Sequence, residues 1–459
     1  MSEEKTKSHI VFLTGEYLPN PSQLGACIAN IVPFLQAADM LVTVVSTGRC
    51  DKKKPYSIGD QQIIPAFSFW QRMHCHFLEK DREKGGSRWY RHLAKGVHLI
   101  DRTIDFMKSF TPGVNVNQGR KNAFRHALEQ VKQPTVLVPT CFPIEAVAAA
   151  ADYARRHDIQ LIPYFLDPFA DNVSVHRTQY NQRRKYKIHL AFEKKMLDQA
   201  DHVLLLEHLS SHFEETFPEL KDKFVKVEHP MLVDLRQRLA NAHGSNQALP
   251  AFAKYLFLAG TNSDINLKTK RESDVPQFYC AGSFIQKVRT PDYVISVMIE
   301  LAKMLPLHLN FYTAGDCEKQ ITAAAAATPH TIFAHGFVTK KEADCILLMS
   351  DVLIHVCNKN RNQSPSKIYE YLGSGLPIIN FYYNDDDPLI ETIAAYPLGK
   401  NIKIPQVIEW DQMLSRDVRD IYNWFLQVQD RRIPFAEVKK LYPKALPNRT
   451  ADQLLKLIR

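Results

Sequence analysis

The sequence predicts an α/β protein of two doubly wound domains in tandem, and three observations predict it. The chain has 459 residues, more than one hydrophobic core usually serves. Short runs of continuous apolar residues alternate with segments of helical periodicity, so the strands are covered on both faces and run parallel. The alternation stops over a polar stretch near the middle of the chain and then begins again.

Ile10–Thr14 is the first strand. A loop rich in Pro, Asn and Ser follows, and then Cys27, Ile28, Ile31, Val32 and Leu35 recur at helical spacing. Strands are expected at Leu41–Val45, Thr135–Val138, Gln160–Leu166 and His202–Leu206, with helices over Ala146–Arg155 and Glu193–Ala200. Residues 51–130, rich in Arg, Lys, His and aromatics, fit the alternation poorly and read as an insertion, mostly helical in its second half. The first domain is thus expected over 1–232, and a linker with a polar loop over 233–275. Strands at Phe278–Ala281, Leu309–Thr313, Thr331–Phe333, Val352–Val356 and Pro377–Tyr382 build a second domain over 276–430. The helical remainder, 431–459, is expected to pack back on the first domain. Ligands of such sheets bind outside the carboxyl ends of the strands, so an interdomain cleft is the expected site.

Composition narrows the class. With 45% hydrophobic and 23% charged residues the chain is neither disordered, collagenous nor a repeat array. The first residues are charged and run into a strand without a signal-peptide core, and no apolar run is long enough to span a bilayer, so a cytoplasmic protein is expected. The eight cysteines are scattered without a CxxC pair, and Cys27, Cys141, Cys280 and Cys357 read as buried thiols of a reducing compartment. His74-Cys75-His76 lacks a second ligand pair at zinc spacing and reads as a surface-loop cluster, not a metal site. A net charge of +9 suits anionic ligands or surfaces without choosing among them. The basic run Arg183-Arg184-Lys185-Tyr186-Lys187 reads as a solvated helix face, with a ligand or membrane patch as the alternative. The first strand is not followed by GxGxxG, and no P-loop is present, so dehydrogenases and P-loop kinases lose their main support.

The sharpest segment runs from Asn362 to Pro377. Ser364 suits an N-cap and Pro365 the first helical position. Ile368, Tyr371 and Leu372 form an apolar face, Ser366 and Glu370 the opposite one, with Lys367 beside them. Free amides at a helix start, the helix dipole and Lys367 make an anion site. A carboxylate one turn along accepts hydrogen bonds from a diol such as a ribose. The combination fits a nucleoside diphosphate; a well-capped core helix with a solvent-facing Glu fits the same residues.

Further segments surround it in order: Tyr279-Cys280-Ala281-Gly282-Ser283-Phe284 with Lys287 and Arg289; Phe311-Tyr312-Thr313-Ala314-Gly315; His335-Gly336-Phe337-Val338 with Glu342-Ala343; and Ser350-Asp351-Val352-Leu353. Together, residues 278–383 resemble the donor-binding half of GT-B glycosyltransferases, specifically the large retaining family GT4. Thr14–Asn20 with Gly25, Phe192-Glu193 with Ala200-Asp201, and Glu228-His229-Pro230 resemble its first half more loosely.

The resemblance implies a GT-B fold, with two Rossmann-like domains and a cleft between them. It implies a ribose role for Glu370 and a diphosphate role for Gly282, Ser283, Lys287 and Arg289, with Ser364, Ser366 and Lys367 at the helix start. Arg289 is favoured for its bidentate fork, and as the group that stabilises the leaving diphosphate. The family usually carries a second Glu eight positions before the ribose Glu; here that place is Asn362, which hydrogen-bonds hydroxyls but carries no charge. Asp167, at a strand's carboxyl end before Pro168, is placed to orient or deprotonate an acceptor hydroxyl, or is simply a turn residue. Gly25 opens a helix where a ligand is expected to approach the backbone. Asp385-Asp386-Asp387 reads as a solvated loop, and no metal site is expected.

The implied reaction moves a hexose-type sugar from a UDP- or GDP-sugar to an acceptor hydroxyl, with retention and without metal. The nucleotide sugar is substrate, and no other cofactor is expected. The implied acceptor is a sugar or a lipid-linked sugar, in cell-surface polysaccharide or glycoconjugate synthesis. Phe67, Phe69, Trp70, Arg72 and Lys80, with the positive charge, suit peripheral contact at the inner face of a membrane, and no nucleic-acid partner is expected. The alternatives are a non-catalytic relative acting as a binding or chaperone subunit, prompted by Asn362, and a nucleotide-sugar epimerase on the same fold.

Overall fold

The computed structural model describes residues 8–458, apart from 85, 173–175, 177, 245–274, 361–365 and 407–408. The chain forms two compact units. One runs to Pro230 and includes the segment from Pro447; the other is Met231–Leu446.

The first unit contains β1 (His9–Thr14), α1 (Gln23–Ala37), β2 (Leu41–Thr47), β3 (Tyr56–Ile58), β4 (Gln61–Ala66), α2 (Phe69–Glu83), α3 (Arg88–Phe110) and α4 (Gln118–Leu128). It continues with β5 (Val136–Pro139), α5 (Ile144–His157), β6 (Gln160–Leu161), β7 (Tyr164–Phe165), α6 (Gln179–Asp198), β8 (Val203–Leu206), α7 (Ser210–Thr216) and β9 (Phe224–Val227). One sheet has the order β3-β4-β2-β1-β5-β6, with only β3 antiparallel to its neighbour; the other is β7-β8-β9, all parallel. β1 and β5 are buried along their whole length, as their unbroken apolar runs require. The strand expected over Gln160–Leu166 is broken. Pro163 has no amide to donate, so the chain leaves the first sheet after Ile162, which still bonds Leu137, and joins the second, where the Pro163 carbonyl accepts the Leu204 amide.

Residues 51–130 are less of an insertion than expected. β4 pairs in parallel with β2 and buries Ile63 and Ile64, and α4 buries Phe124 and Leu128 in the same core. Gln61, Gln62 and Pro65 interrupt the apolar run and hide the strand in the sequence. The antiparallel edge strand β3 and the helices α2 and α3 are what this stretch adds to the alternation. Cys75 lies in α2, not in a surface loop, and forms a disulfide with Cys50, a pairing the sequence did not announce. The other six cysteines are buried and form no disulfide. Phe67, assigned to a surface contact, is buried.

The basic run in α6 is only partly solvated. Asn181, Lys185, His189 and Glu193, four apart, form one buried polar stripe. Lys185 is 1% exposed, and its ammonium reaches the Lys108 carbonyl at 2.6 Å. Burial pushes the His189 imidazole down to about 3, so it is neutral and accepts the Asn115 amide. The C-terminal helix Pro447–Leu457 belongs to this unit; its Leu457 carbonyl accepts the Gln160 amide at 2.6 Å.

The second unit begins with α8 (Leu235–Gly244), inside the stretch expected to be linker. Asp234 caps it through the Arg236 and Gln237 amides, and Arg238 pairs with Asp344. The polar run Thr261–Asp274 lies outside the described residues. There follow β10 (Gln277–Ser283), α9 (Asp292–Ala302), β11 (His308–Ala314), α10 (Glu318–Ala327), β12 (Ile332–Ala334), α11 (Lys340–Met349) and β13 (Val352–Val356). α12 (Lys367–Ser374), β14 (Ile378–Tyr382), α13 (Leu389–Ala394), β15 (Gly399–Lys403), α14 (Trp410–Val428) and α15 (Phe435–Leu441) complete it. The sheet is wholly parallel with the order β12-β11-β10-β13-β14-β15. Counted within the sheet this is 3-2-1-4-5-6, so the winding reverses between β10 and β13.

Candidate functional site

Where a parallel sheet reverses its winding, a crevice opens at the carboxyl ends of the two central strands. Here those ends are Gly282-Ser283 and Val356-Cys357, and Arg289 bridges them. The turn after β10 brings the side chain back, with the Arg289 amide on the Ile285 carbonyl at 2.8 Å. Nε donates to the Ser283 carbonyl at 2.9 Å and Nη1 to the Val356 carbonyl at 3.0 Å. Two bonds to fixed carbonyls lock the planar guanidinium in place. Its Nη2 lies 2.9 Å from where a Cβ on residue 282 would stand, and Gly282 has φ +136°. Only glycine suits both the backbone angle and the cation's approach. Ser283 is exposed and contributes its carbonyl; Lys287 is exposed on the same turn.

α12 follows β13. Its first helical residue is Lys367, and the buried Ser366 stands in the cap position without a side-chain cap bond. The expected cap Ser364, with Pro365 and Asn362, lies outside the described residues. The expected polar face does not exist, because Ile368–Ser374 are all buried. Glu370 is 6% exposed and takes the Lys340 ammonium at 3.0 Å. Lys340 also bonds Asp344, on which Arg238 converges. Burial alone would raise the Glu370 pKa; Lys340 and Lys367 outweigh it and hold the carboxyl below its usual range. Lys367 is the less satisfied cation. Burial lowers its pKa against the pull of Glu370, and its ammonium has no hydrogen-bond partner among the described residues.

Beneath the crevice lies His355, a buried polar residue in an apolar strand. Burial pushes it down to about 3, with Arg289 and Lys367 adding to the effect, so it is neutral. Nδ1 meets Asn380 Oδ1 at 2.7 Å, while Nε2 and the nearby Tyr279 hydroxyl have no partner among the described residues. Both cations also act on the Cys280 thiol, which places Arg289 and Lys367 around the same point. The structure thus brings Gly282, Ser283, Arg289, Lys367 and Glu370 to one edge of the second unit. Sequence reasoning missed Lys340, Arg238 and His355. His355 was visible as the odd residue in the run Val352–Val356; the two cations carried no signal, since their partners are distant in sequence.

In the first unit, Asp167 follows β7 and is half-buried. Burial raises its pKa to about 7, and its carboxylate has no hydrogen-bond partner among the described residues. The loop after it is fixed from α6, where Glu193 accepts the Phe169 and Ala170 amides at 2.8 and 3.2 Å. At Gly25 a Cβ would lie 2.1 Å from the Glu16 carbonyl oxygen, so a close approach of the chain itself already requires glycine there. The triple-Asp loop is also not wholly solvated. Asp387 is buried and accepts the Leu389 amide at 2.9 Å at the start of α13, while Asp385 pairs with Lys403.

No model of a known protein family matches the sequence, and no curated protein matches it either. Solved structures do match over nearly the whole chain. Sucrose-phosphate synthase from Thermosynechococcus elongatus aligns with a TM-score of 0.59 at 10% identity, covering 98% of each chain. The pneumococcal O-GlcNAc transferase GtfA, in complex with UDP and GlcNAc, gives 0.55 at 11% identity, again with 98% of each chain. UDP-GlcNAc 2-epimerase from Neisseria meningitidis, bound to UDP-GlcNAc, gives 0.53 at 10% identity, covering 98% of this chain and 99% of that one. With two Rossmann-like parallel sheets and these neighbours, the chain has the GT-B fold.

Proposed function

We propose that this protein is a glycosyltransferase that takes a hexose-type sugar from a nucleoside diphosphate donor and places it on an acceptor hydroxyl. The observation that carries the reading is the Arg289 clamp across the winding reversal, with the under-satisfied Lys367 beside it. Two desolvated cations at that point suit a diphosphate, which gains charge as the glycosidic bond breaks. Arg289 offers its outer edge, Lys367 and the α12 amides add donors, and Ser283, Lys287 and Ser366 line the approach. Glu370 accepts the ribose hydroxyls with the oxygen that Lys340 leaves open. Asn362 is assigned to the donor sugar, and Ser364 to the diphosphate with Ser366 and Lys367. Asp167, with a pKa of about 7, is assigned to the acceptor hydroxyl, which it orients or deprotonates. A retaining, GT4-like, metal-independent transfer to a sugar or lipid-linked acceptor at the inner membrane face belongs to the same proposal.

Neighbours whose complexes hold UDP or UDP-GlcNAc make UDP-sugars the first donors to test. The epimerase among them supports a second reading on the same fold. A panel of UDP- and GDP-sugars, followed for nucleoside diphosphate release with and without sugar acceptors, separates the two. Release that rises with acceptor supports transfer. Release with an epimerised free sugar, indifferent to acceptor, supports the epimerase. Neither product from any donor refutes both.

A further inference from the structure

We infer that α3 is an interfacial helix by which this protein docks on an anionic lipid surface. The inference goes beyond the transfer reaction and does not depend on the donor site. Six of the sixteen large apolar side chains that stand exposed among the described residues lie on this one helix: Trp89, Leu99, Ile100, Phe106, Met107 and Phe110. Trp89 is 68% and Leu99 64% exposed. Wound at about 100° per residue, the six occupy one arc of about 120°. Arg88, Arg91, Lys95 and Arg102 continue from one edge of that arc, all exposed. Both carboxylates of the helix turn the other way. Asp105 bonds Arg120 at 2.8 Å and Asn117 at 2.8 Å, and burial raises the pKa of Asp101.

The helix is held firmly from its inner side. Ala94 and Val97 are buried, and the Ala94 carbonyl meets His74 of α2 at 2.9 Å. At its end, the Phe110 carbonyl accepts Arg184 of α6, beside the exposed Arg183 and Lys187. The face therefore carries an apolar arc, a cationic border and no exposed carboxylate, which is the pattern of a helix lying in a headgroup layer. Charge selects the occupant. A second copy of this chain would set the same carboxylate-free cationic border against itself. Anionic headgroups complement it while the Trp, Leu and Phe side chains enter the acyl boundary.

The test uses the full chain and vesicles of phosphatidylcholine, alone or mixed with phosphatidylglycerol. The protein is expected to sediment with the mixed vesicles only, and salt is expected to release it. Reversing three charges together (Arg88→Glu, Lys95→Glu, Arg102→Glu) is expected to lower partitioning on the order of 100-fold. Replacing Trp89→Ser, Leu99→Ser and Phe106→Ser together is expected to abolish it, with the melting temperature kept because these side chains are exposed. Brominated acyl chains are expected to quench the wild-type fluorescence and to lose that quenching in Trp89→Phe, a readout that needs no disruptive variant. Failure to sediment with the mixed vesicles, or equal binding to both kinds, overturns the inference. A dimer in solution that the charge-reversed variant splits overturns it in favour of a second copy.

Discussion

Replacing Glu370 by Gln tests two consequences of its position at once. The carboxylate is buried, with Lys340 at 3.0 Å and Lys367 nearby. A fully buried pair broken on one side costs about 3–5 kcal/mol, and an exposed pair about 0–1 kcal/mol. Lys340 is about one-third exposed and keeps Asp344, so the loss lies between these limits, at about 1–2 kcal/mol. For a unit of this size each kcal/mol lowers the melting temperature by about 2–4 °C. The loss is pH-dependent. The folded pKa is held below the ordinary value, so the carboxylate stabilises the native state above that ordinary value and ceases to as pH falls through the folded one. Glu370→Gln should therefore match the wild type most closely in acid. The second consequence concerns the ribose. Hydrogen bonds to a charged acceptor contribute about 1.5–3 kcal/mol, so the wild type should prefer UDP to 2′,3′-dideoxy-UDP by about 10-fold or more. Titration calorimetry of both ligands against both proteins gives the ratio. If the ratio is the same in Glu370→Gln, the ribose assignment is wrong, whatever happens to stability.

Lys367→Met should separate binding from folding. It removes a desolvated cation lacking a hydrogen-bond partner among the described residues, so stability should hold or rise by about 1 kcal/mol in denaturant unfolding while nucleotide binding falls at least tenfold. Asp167→Asn should stabilise the protein at pH 8 by about 1–3 kcal/mol. Its folded pKa of about 7 exceeds the ordinary value of about 4, so the native state loses stability as pH rises between them. The gain should vanish below about pH 4, and the limb near pH 7 should leave the activity profile; a constant gain across pH refutes the assignment. Cys50→Ser should cost the first unit about 3–4 kcal/mol, the expected effect of opening a loop of 25 residues, in urea unfolding without reductant.

The sheets were legible because strands covered on both faces leave unbroken apolar runs, as in Val136–Pro139 and Val203–Leu206. β4 was not legible, since Gln61, Gln62 and Pro65 break its run and its burial comes from neighbours. The candidate site was readable as far as local rules reach. A Gly followed by Arg and a capped helix announced an anion site, but not that Arg289 would lock onto the Ser283 and Val356 carbonyls. Helical spacing gave Ser366 and Glu370 a common face, but not its exposure: α11, where Lys340 lies, and α8, which carries Arg238, cover it. Such partners come from tertiary packing between distant segments. The same holds for Lys185, whose basic run looked solvated until the Lys108 carbonyl and Asn115 were placed beside it.

Titration calorimetry of UDP, GDP and ADP into the wild-type protein and into Arg289→Ala tests the central claim most directly. A nucleoside diphosphate site at the β10–β13 reversal predicts that at least one binds and that Arg289→Ala, still folded, loses at least tenfold in affinity. No binding by any of the three, or binding that Arg289→Ala leaves unchanged, contradicts it.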